Sequence, residues 1–339
     1  MASGIVGVAS GIVGVASGIV GVASGIADVR FVVDAWAPDY GGSVEEPALE
    51  ASDVPTDITV EVPVASWGPR TVPGEGPARV VFVDGVRRVE ARVWITGDDG
   101  EVSQGICASY GAGAVRCDGR AELVAATVRR ALFTTAPGAG DLETRHGRFA
   151  LVPVLGDDPD RLSLCLQQKM GELEVAVARE AGTGCAGEPI VVDGPLRQHR
   201  HLPGAVGYVK GQHRFYGAEV VRATVGALLA GQRTPVFAMG EAFTRYSWYV
   251  RLPGERNHAL AGIARCEAST DLGIAAVVAV ADRVTALLPR FSSRPHKDPR
   301  APQNLYPIAG LERELRRRLG DPALLYRALR RAAASASAP

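Results

Sequence analysis

The sequence predicts an α/β domain in which a mixed β-sheet is flanked by helices. Two apolar, β-branched runs, residues 80–83 and 190–192, each end directly before an Asp-Gly pair, and such runs are typical of buried strands. Residues 162–181 lie between them, and their apolar positions fall roughly on one side of a helix. Strands followed by a helix and then by another strand are the element order of a mixed α/β sheet.

The first strands are predicted to form an antiparallel meander. Residues 87–95 place apolar side chains on one face, residues 97–100 read Gly-Asp-Asp-Gly, and residues 103–110 form the returning strand. Residues 57–64 alternate as a further possible strand. The composition of residues 122–132 predicts a helix.

The second half of the chain alternates between helices and strands. After the strand at 190–193 the pattern predicts a helix at 218–230, strands at 246–252 and 260–267, a helix at 272–288, and basic helical segments around 316–318 and 327–331. The predicted order is a meander that begins with an Asp, then a helix, and then a strand that ends in another Asp. This is the order of elements in the ribonuclease H-like fold. In that fold the carboxylates converge.

The ends of the chain differ from this domain in composition. Residues 1–27 repeat Gly-Ile-Val-Gly-Val-Ala-Ser nearly four times without a charge. Because glycine at this density disfavours a helix and no basic segment precedes the run, we predict a disordered low-complexity segment, with a membrane anchor as the alternative. Residues 28–74 form an acidic, Pro-rich extension, residues 75–331 the main domain, and residues 332–339 a disordered tail.

Bulk composition restricts the function only weakly. Lys plus Arg and Asp plus Glu number 37 each, which argues against a bulk polyanion binder but leaves room for a local basic groove. The five cysteines contain no CxxC pair. They predict reduced thiols of a cytoplasmic protein rather than a disulfide framework or a zinc site.

Asp84 and Asp193 are the leading candidates for metal ligands. Each follows a buried strand, where a carboxylate is costly unless a cation meets it. Hard cations such as Mg²⁺ and Mn²⁺ prefer oxygen ligands. The alternative is that each Asp-Gly pair only begins a turn.

A third carboxylate is expected from the helix before Asp193. Glu174 lies at the edge of the apolar stripe and can point toward the sheet, whereas Glu172 and Glu180 are expected in solvent. Lys210 ends another apolar run and could hold a phosphate near the metals. A snorkelling lysine at the sheet edge is an equal alternative.

Further candidates for DNA contact are Arg214, Arg251 and Arg265. For the two strand arginines a cross-strand pair with Glu267 is the competing interpretation. Trp248 and Tyr249, with Tyr246, could stack on bases, although aromatic strand residues more often belong to the core. The pair His199 and His201 is expected to be solvated or to contact phosphate rather than to bind metal.

Taken in order, several segments resemble the NurA nuclease family across roughly residues 75–320. They are Phe82-Val-Asp84-Gly85, Ile190-Val-Val-Asp193-Gly-Pro-Leu196, Val206-Gly-Tyr-Val-Lys210, Trp248-Tyr-Val-Arg-Leu-Pro253, Ala264-Arg-Cys-Glu267 and Asn304-Leu-Tyr306-Pro307. The resemblance implies a ribonuclease H-like core and a Mn²⁺- or Mg²⁺-dependent deoxyribonuclease, acting as a 5′–3′ exonuclease or single-strand endonuclease. It also implies a homodimer that processes DNA ends in repair with a HerA-type hexameric helicase.

On this resemblance Asp84, Asp193 and Glu174 are the implied metal ligands, and Tyr306 belongs to a C-terminal Tyr-Pro motif that contacts DNA. One position departs from the family, because Glu312 stands where members often carry His. Glu312 could act as ligand or base in its place. The alternatives are a catalytically impaired scaffold that docks a helicase ATPase, or an actin-like nucleotide-binding domain, which lacks support because the sequence has no glycine-rich phosphate loop.

Overall fold

A computed structural model describes residues 53–336 apart from 75, 97–101, 157–159, 183–186, 212–214, 242–243, 257 and 259. The predictions for residues 1–27, for the hairpin turn at 97–100 and for Arg214 lie outside the described residues. Within the described part the strands are β1 Thr56–Asp57, β2 Arg70–Thr71, β3 Arg79–Thr96, β4 Val102–Asp118, β5 Arg120–Thr134, β6 Leu142–Thr144, β7 Gly147–Pro153, β8 Ile190–Asp193, β9 Ala205–Val209, β10 Gln232–Arg233, β11 Phe237–Met239, β12 Arg245–Arg251 and β13 Ile263–Ser269. The α-helices are α1 Asp160–Gly182, α2 Glu219–Ala227, α3 Ile274–Leu287, α4 Tyr306–Leu319 and α5 Pro322–Ala336.

The strands form one large mixed sheet, which confirms the predicted α/β class with flanking helices. Its order is β1-β11-β12-β13-β9-β8-β3-β4-β5-β7-β6, with β10 and β2 joined at β12. The pairs β3–β8, β8–β9 and β5–β7 are parallel, and the other pairs are antiparallel. The centre of the sheet is therefore a parallel block of β3, β8 and β9 between two antiparallel regions.

The meander is longer than predicted, because the two predicted strands at 80–83 and 87–95 are one strand, β3. It pairs with β4 along its whole length, with a register shift between Val89 and Ala91. Asp84 thus lies inside a strand. What ends beside it is the parallel pairing with β8, whose last partners are Val83 and Val192.

The predicted helix at 122–132 is wrong, since these residues belong to β5. The turn Asp118-Gly119-Arg120, with Gly119 at φ +69°, folds the chain back on β4, and the ladder runs from Asp118↔Arg120 to Gly105↔Thr134. Long-range strand pairing here overrides the helix propensity of Ala, Glu and Leu. The Asp-Gly pair at 118–119 is a hairpin signal that favours the strand.

The terminal segments also differ from the prediction. Of residues 57–64 only the start is a strand, β1, because the Asp57 carboxylate accepts bonds from the Thr59 amide and hydroxyl and turns the chain. Helix α5 reaches Ala336, past the start of the predicted disordered tail at residue 332.

Alternation along the central strands divides their side chains between two apolar layers. Val81, Val83 and Val192 pack under α1 with Val177 and Ala178. Side chains of the opposite set pack under α3 and α4, among them Phe82, Val191, Tyr208, Val277, Ala281, Leu311 and Leu315. Two-fold periodicity therefore places Asp84, Asp193 and Lys210 on the α3–α4 side of the sheet.

None of the helices in the described part of the chain has the length and apolar content needed to cross a membrane.

Candidate metal centre

Strand register brings Asp84 and Asp193 to the same edge of the parallel block. In the β3–β8 pair Val81 lies opposite Ile190, Phe82 opposite Val191 and Val83 opposite Val192. The next position along each strand is an aspartate. Strand β9 continues the block, since Asp193 pairs with Tyr208, and Lys210 follows the end of β9. Three charged side chains therefore meet where parallel strands end.

Glu174 reaches the same edge from the other face of the sheet. It is buried on α1, and its Oε1 atom would lie 2.2 Å from a Cβ atom built on Gly85. The carboxylate thus occupies the space that any side chain at position 85 would take, on the face of the sheet opposite Asp84. The Gly of the Asp-Gly pair is required here for close approach rather than for a turn.

Lys210 forms an ion pair inside this group. Its Nζ atom lies 2.6 Å from Oδ2 of Asp193, and its side chain is almost fully buried. The other carboxylate oxygen of Asp193, Oδ1, is buried and has no hydrogen-bond partner among the described residues. A buried carboxylate oxygen without a partner is costly, and a cation is the ligand that would satisfy it.

Burial and neighbouring carboxylates raise the pKa values of Asp84 and Glu174. Burial raises the pKa of Asp84 well above its ordinary value, Asp193 raises it further, Lys210 opposes the shift, and Glu174 and Glu312 add to it. Burial, followed by the charge of Asp193, raises the pKa of Glu174 to about 8. One lysine therefore leaves the group short of positive charge, which a divalent cation would supply.

A chain of polar contacts that the sequence did not predict supports Lys210 from behind. Its Nζ atom donates to Oδ1 of Asn304 at 3.1 Å, and Nδ2 of Asn304 donates to Oδ2 of Asp298 at 2.7 Å. Asn304 is fully buried. Asn304 is the first residue of the segment Asn304-Leu-Tyr306-Pro307, but nothing in the sequence predicted a contact between this segment and Lys210.

Glu312 is held by two arginines rather than directed freely at the aspartates. Oε2 accepts from Arg300 at 3.0 Å and Oε1 accepts from Arg316 at 2.7 Å. Burial alone would raise the pKa of Glu312, but hydrogen bonding and charge from Arg300, together with Arg316 and Lys210, lower it. Glu312 is thus an ionised carboxylate that acts on Asp84 and Lys210 through its charge.

His199 differs from the expectation of a solvated side chain, because it is buried. Its Nε2 atom lies 3.8 Å from Oε2 of Glu174. Burial lowers the pKa of His199 to about 4, although the Leu196 carbonyl beside it acts in the opposite sense. The imidazole is therefore neutral near pH 7. His201, two residues on, is exposed as predicted.

Two predicted DNA contacts lie elsewhere. Arg251 is 1 % exposed and donates to the carbonyls of Ala261 and Val225, so its guanidinium is used inside the fold rather than presented to a phosphate. Tyr306 lines a cavity of about 460 Å³ with Cys117 and other residues, and its hydroxyl accepts from the Arg294 amide at 3.2 Å.

The cross-strand pair with Glu267 is not observed, because Arg251 bonds to backbone carbonyls and lies opposite Ile263. Arg265 is buried and pairs with Glu267, although along one strand rather than across two. Trp248 and Tyr249 are fully buried core residues, because this part of the sheet is covered on both faces.

The side chains of this group are of the type that binds a hard divalent cation, but their oxygens are not arranged around a common point. Its acidic side chains and the unpartnered Asp193 oxygen are what such a cation requires, whereas no group of three or more His, Cys, Asp or Glu in the described part of the chain has ready-made metal-binding geometry. A cation bound to Oδ1 of Asp193 would share this carboxylate with Lys210, which pairs with Oδ2. No protein-family model and no curated protein matches this chain.

Proposed function

We propose that this protein is a metal-dependent DNA nuclease of the NurA type. The observation that carries the proposal is the register of the parallel strands, which aligns Asp84 with Asp193 while Gly85 admits Glu174 between the sheet and α1. Two aspartates at the end of the parallel block, a glutamate from the α1 face and a lysine beside the aspartates are the donor chemistry that phosphodiester cleavage with Mn²⁺ or Mg²⁺ requires.

The order of the elements supports a ribonuclease H-like core. The chain forms the meander β3–β4–β5, then α1, and then β8, which lies parallel to β3 on the side away from β4. The first strand of the meander carries one candidate ligand, the helix the second and the parallel strand the third. This is the arrangement that the resemblance to NurA nucleases implies.

Asp84, Asp193 and Glu174 would hold the metal, which would supply an activated water and stabilise charge on the phosphate. The residues of the chain have separable tasks around it. The Lys210 ammonium, which Asn304 contacts from behind, would donate to a phosphate oxygen. Glu312 stays ionised between Arg300 and Arg316, so it would act as an acceptor of hydrogen bonds or as a base.

We infer the remaining properties from the same resemblance. DNA would be the substrate, a HerA-like hexameric ATPase the partner, and a homodimer the working form in a cytoplasmic repair pathway. Exposed arginines on α4 and α5 offer positive charge for the DNA backbone; they include Arg316, Arg317, Arg327 and Arg330. The cysteines in the described residues are free thiols, consistent with a reducing compartment.

Digestion of 5′-labelled linear DNA with Mn²⁺ tests the proposal. Asp84→Ala and Asp193→Ala should each abolish cleavage, whereas Glu219→Gln, a change at a highly exposed carboxylate on α2, should leave it unchanged. Circular dichroism melts of every variant verify folding. Cleavage by both aspartate variants at the wild-type rate would refute the proposal.

The ion pair of Lys210 with Asp193 favours one second candidate, a catalytically impaired scaffold that docks a helicase ATPase. In such a protein the lysine would permanently replace the cation. A folded wild-type protein that neither binds Mn²⁺ nor cleaves DNA, alone or with the ATPase, but binds the ATPase, would establish this alternative.

A further inference from the structure

A cavity of about 680 Å³ lies at the end of the parallel block away from the two aspartates. It is lined by residues at the starts of β8 and β9, by the end of α1 and by α3. Its volume is within the range of about 300–1,000 Å³ that small-molecule sites occupy. Because Asp193 ends β8 three residues after Ile190, about 10 Å of strand separates this cavity from the candidate metal centre.

Most of the cavity lining is apolar. Val81 of β3, Ala178 of α1 and Ile190 of β8 contribute to it. On α3 the lining residues recur every three or four positions, as in Val280 and Val284, so that one face of this helix borders the cavity. Such a lining favours the apolar body of a ligand over water.

Glu188 contributes a buried carboxylate to the same cavity. Its side chain is 10 % exposed, and Oε2 lies 3.4 Å from Nε of Arg116. Neither carboxylate oxygen has a hydrogen-bond partner among the described residues, since Nη2 of Arg116 donates to the Ala181 carbonyl instead. An ionised carboxylate accepts up to about four hydrogen bonds. An N–H or O–H group of a molecule in the cavity would supply a missing donor.

Two arginines on different helices provide positive charge at this cavity. Arg179 of α1 and Arg283 of α3 both line it, and both are exposed to solvent. Within the part of the chain that the structure describes, neither guanidinium is paired with a carboxylate. Guanidinium groups bind carboxylate, sulfonate and phosphate through charge-assisted hydrogen bonds, so these two arginines favour an anion.

We propose that this cavity binds a small amphipathic organic anion. Its apolar body lies against the side chains of β8, α1 and α3, its anionic group pairs with Arg179 and Arg283, and an N–H or O–H group donates to Glu188. A purely apolar molecule would leave the Glu188 carboxylate without a donor, and an inorganic anion would leave the apolar lining in contact with water. The inference goes beyond the proposed nuclease function and does not depend on it.

Fluorescence titration with anilinonaphthalene sulfonate tests the proposal, because this probe combines apolar rings, an N–H group and a sulfonate. Phenylnaphthylamine is the matched neutral probe, with the same rings and N–H group but no sulfonate. Folded wild-type protein should bind one molecule of either probe per chain. Sodium chloride should weaken binding of the sulfonate but not of the neutral probe, since salt screens exposed charges.

Substitutions locate the bound probe. The double variant Arg179→Gln/Arg283→Gln should bind the sulfonate at least about tenfold more weakly and bind the neutral probe as wild type does. Glu188→Ala should weaken binding of both probes. Ala279→Trp adds a large side chain at an exposed position that lines the cavity, and it should abolish binding of both.

Arg120→Gln is the matched control, because Arg120 is an exposed arginine that lines the other apolar cavity; binding of both probes should be unchanged. Absence of sulfonate binding by folded wild type, or equal salt dependence of the two probes, overturns the inference. So does wild-type affinity for the sulfonate in a folded Ala279→Trp or double-arginine variant, and so does loss of binding in Arg120→Gln. Circular dichroism melts verify folding, and the salt comparison on wild type decides if the variants do not fold.

Discussion

Replacing Gly85 by Ala should inactivate the site while leaving the fold nearly intact. The new methyl group would lie 2.2 Å from Oε1 of Glu174 and 3.0 Å from Cγ of Met170, so the carboxylate must move from its present position. Crowding of this kind costs about 1–3 kcal/mol of unfolding free energy, and Ala regains about 0.5–1 kcal/mol in a strand relative to Gly. The net loss should be about 1–2 kcal/mol, because the end of a flexible side chain can move.

The effect on function should be much larger than this loss of stability. A misplacement of about 1 Å at a reacting group can cost about 100-fold in rate, so we expect DNA cleavage by Gly85→Ala to fall by about 100-fold. Mn²⁺ affinity should fall as well. Cleavage assays, Mn²⁺ calorimetry and thermal melts on the same preparation separate the two effects.

Gly226→Ala is the matched control. Gly226 lies in α2 with no atom within 4 Å of an added Cβ, so this change should retain full activity and stabilise the helix by up to about 1 kcal/mol. Wild-type cleavage and Mn²⁺ affinity in Gly85→Ala would refute the argument that this glycine exists to admit Glu174. A global unfolding of the variant would show that the cost of crowding is larger than worked out above.

Two further changes test the buried charges. Lys210→Met removes the cation that pairs with Asp193 and should destabilise the metal-free protein by about 3–5 kcal/mol. Mn²⁺ should then raise the melting temperature of this variant more than that of wild type. Equal melting temperatures of the two proteins in chelator would contradict this prediction. Glu267→Gln should cost about 3–5 kcal/mol, because Arg265 would remain buried without its counter-charge. Burial would raise the pKa of Glu267, but Arg265, Arg245 and the Leu196 amide hold it below the ordinary 4.5, so its stabilisation is complete above about pH 4.5 and is lost as the pH falls through the lowered pKa. Acid unfolding curves of Glu267→Gln should therefore be flatter below that pH than those of wild type, and parallel curves would refute the assignment.

The central elements were predictable because their patterns are local. Helix α1 and strand β8 were placed within two residues of their observed bounds, since an amphipathic stripe and a short β-branched run each depend on neighbours in sequence. Strand β5 was missed for the opposite reason. Its residues favour a helix in isolation, and only pairing with β4 makes them a strand.

The candidate site divides in the same way. Asp84, Asp193 and Glu174 were found because each stands at a recognisable point of a strand or helix pattern. His199 and Asn304 were missed, because their importance lies in contacts to Glu174 and Lys210 from distant parts of the chain. The strand that contains Arg251 was predicted correctly. The polar/apolar alternation of its sequence did not reveal that Arg251 is buried, so this residue was assigned to DNA.

The sequence by itself determined which residues can carry the chemistry: the Asp-Gly pairs, the helix with Glu174 and the strand before Lys210. Apolar runs and polar ends are properties of neighbouring residues, so they can be read along the chain. The tertiary structure alone decided which of these residues meet, because β-strand register, the close approach at Gly85 and the burial of His199 depend on elements far apart in sequence. That is why the Gly after Asp84, for which a turn was the alternative interpretation, proves to be the space into which Glu174 fits.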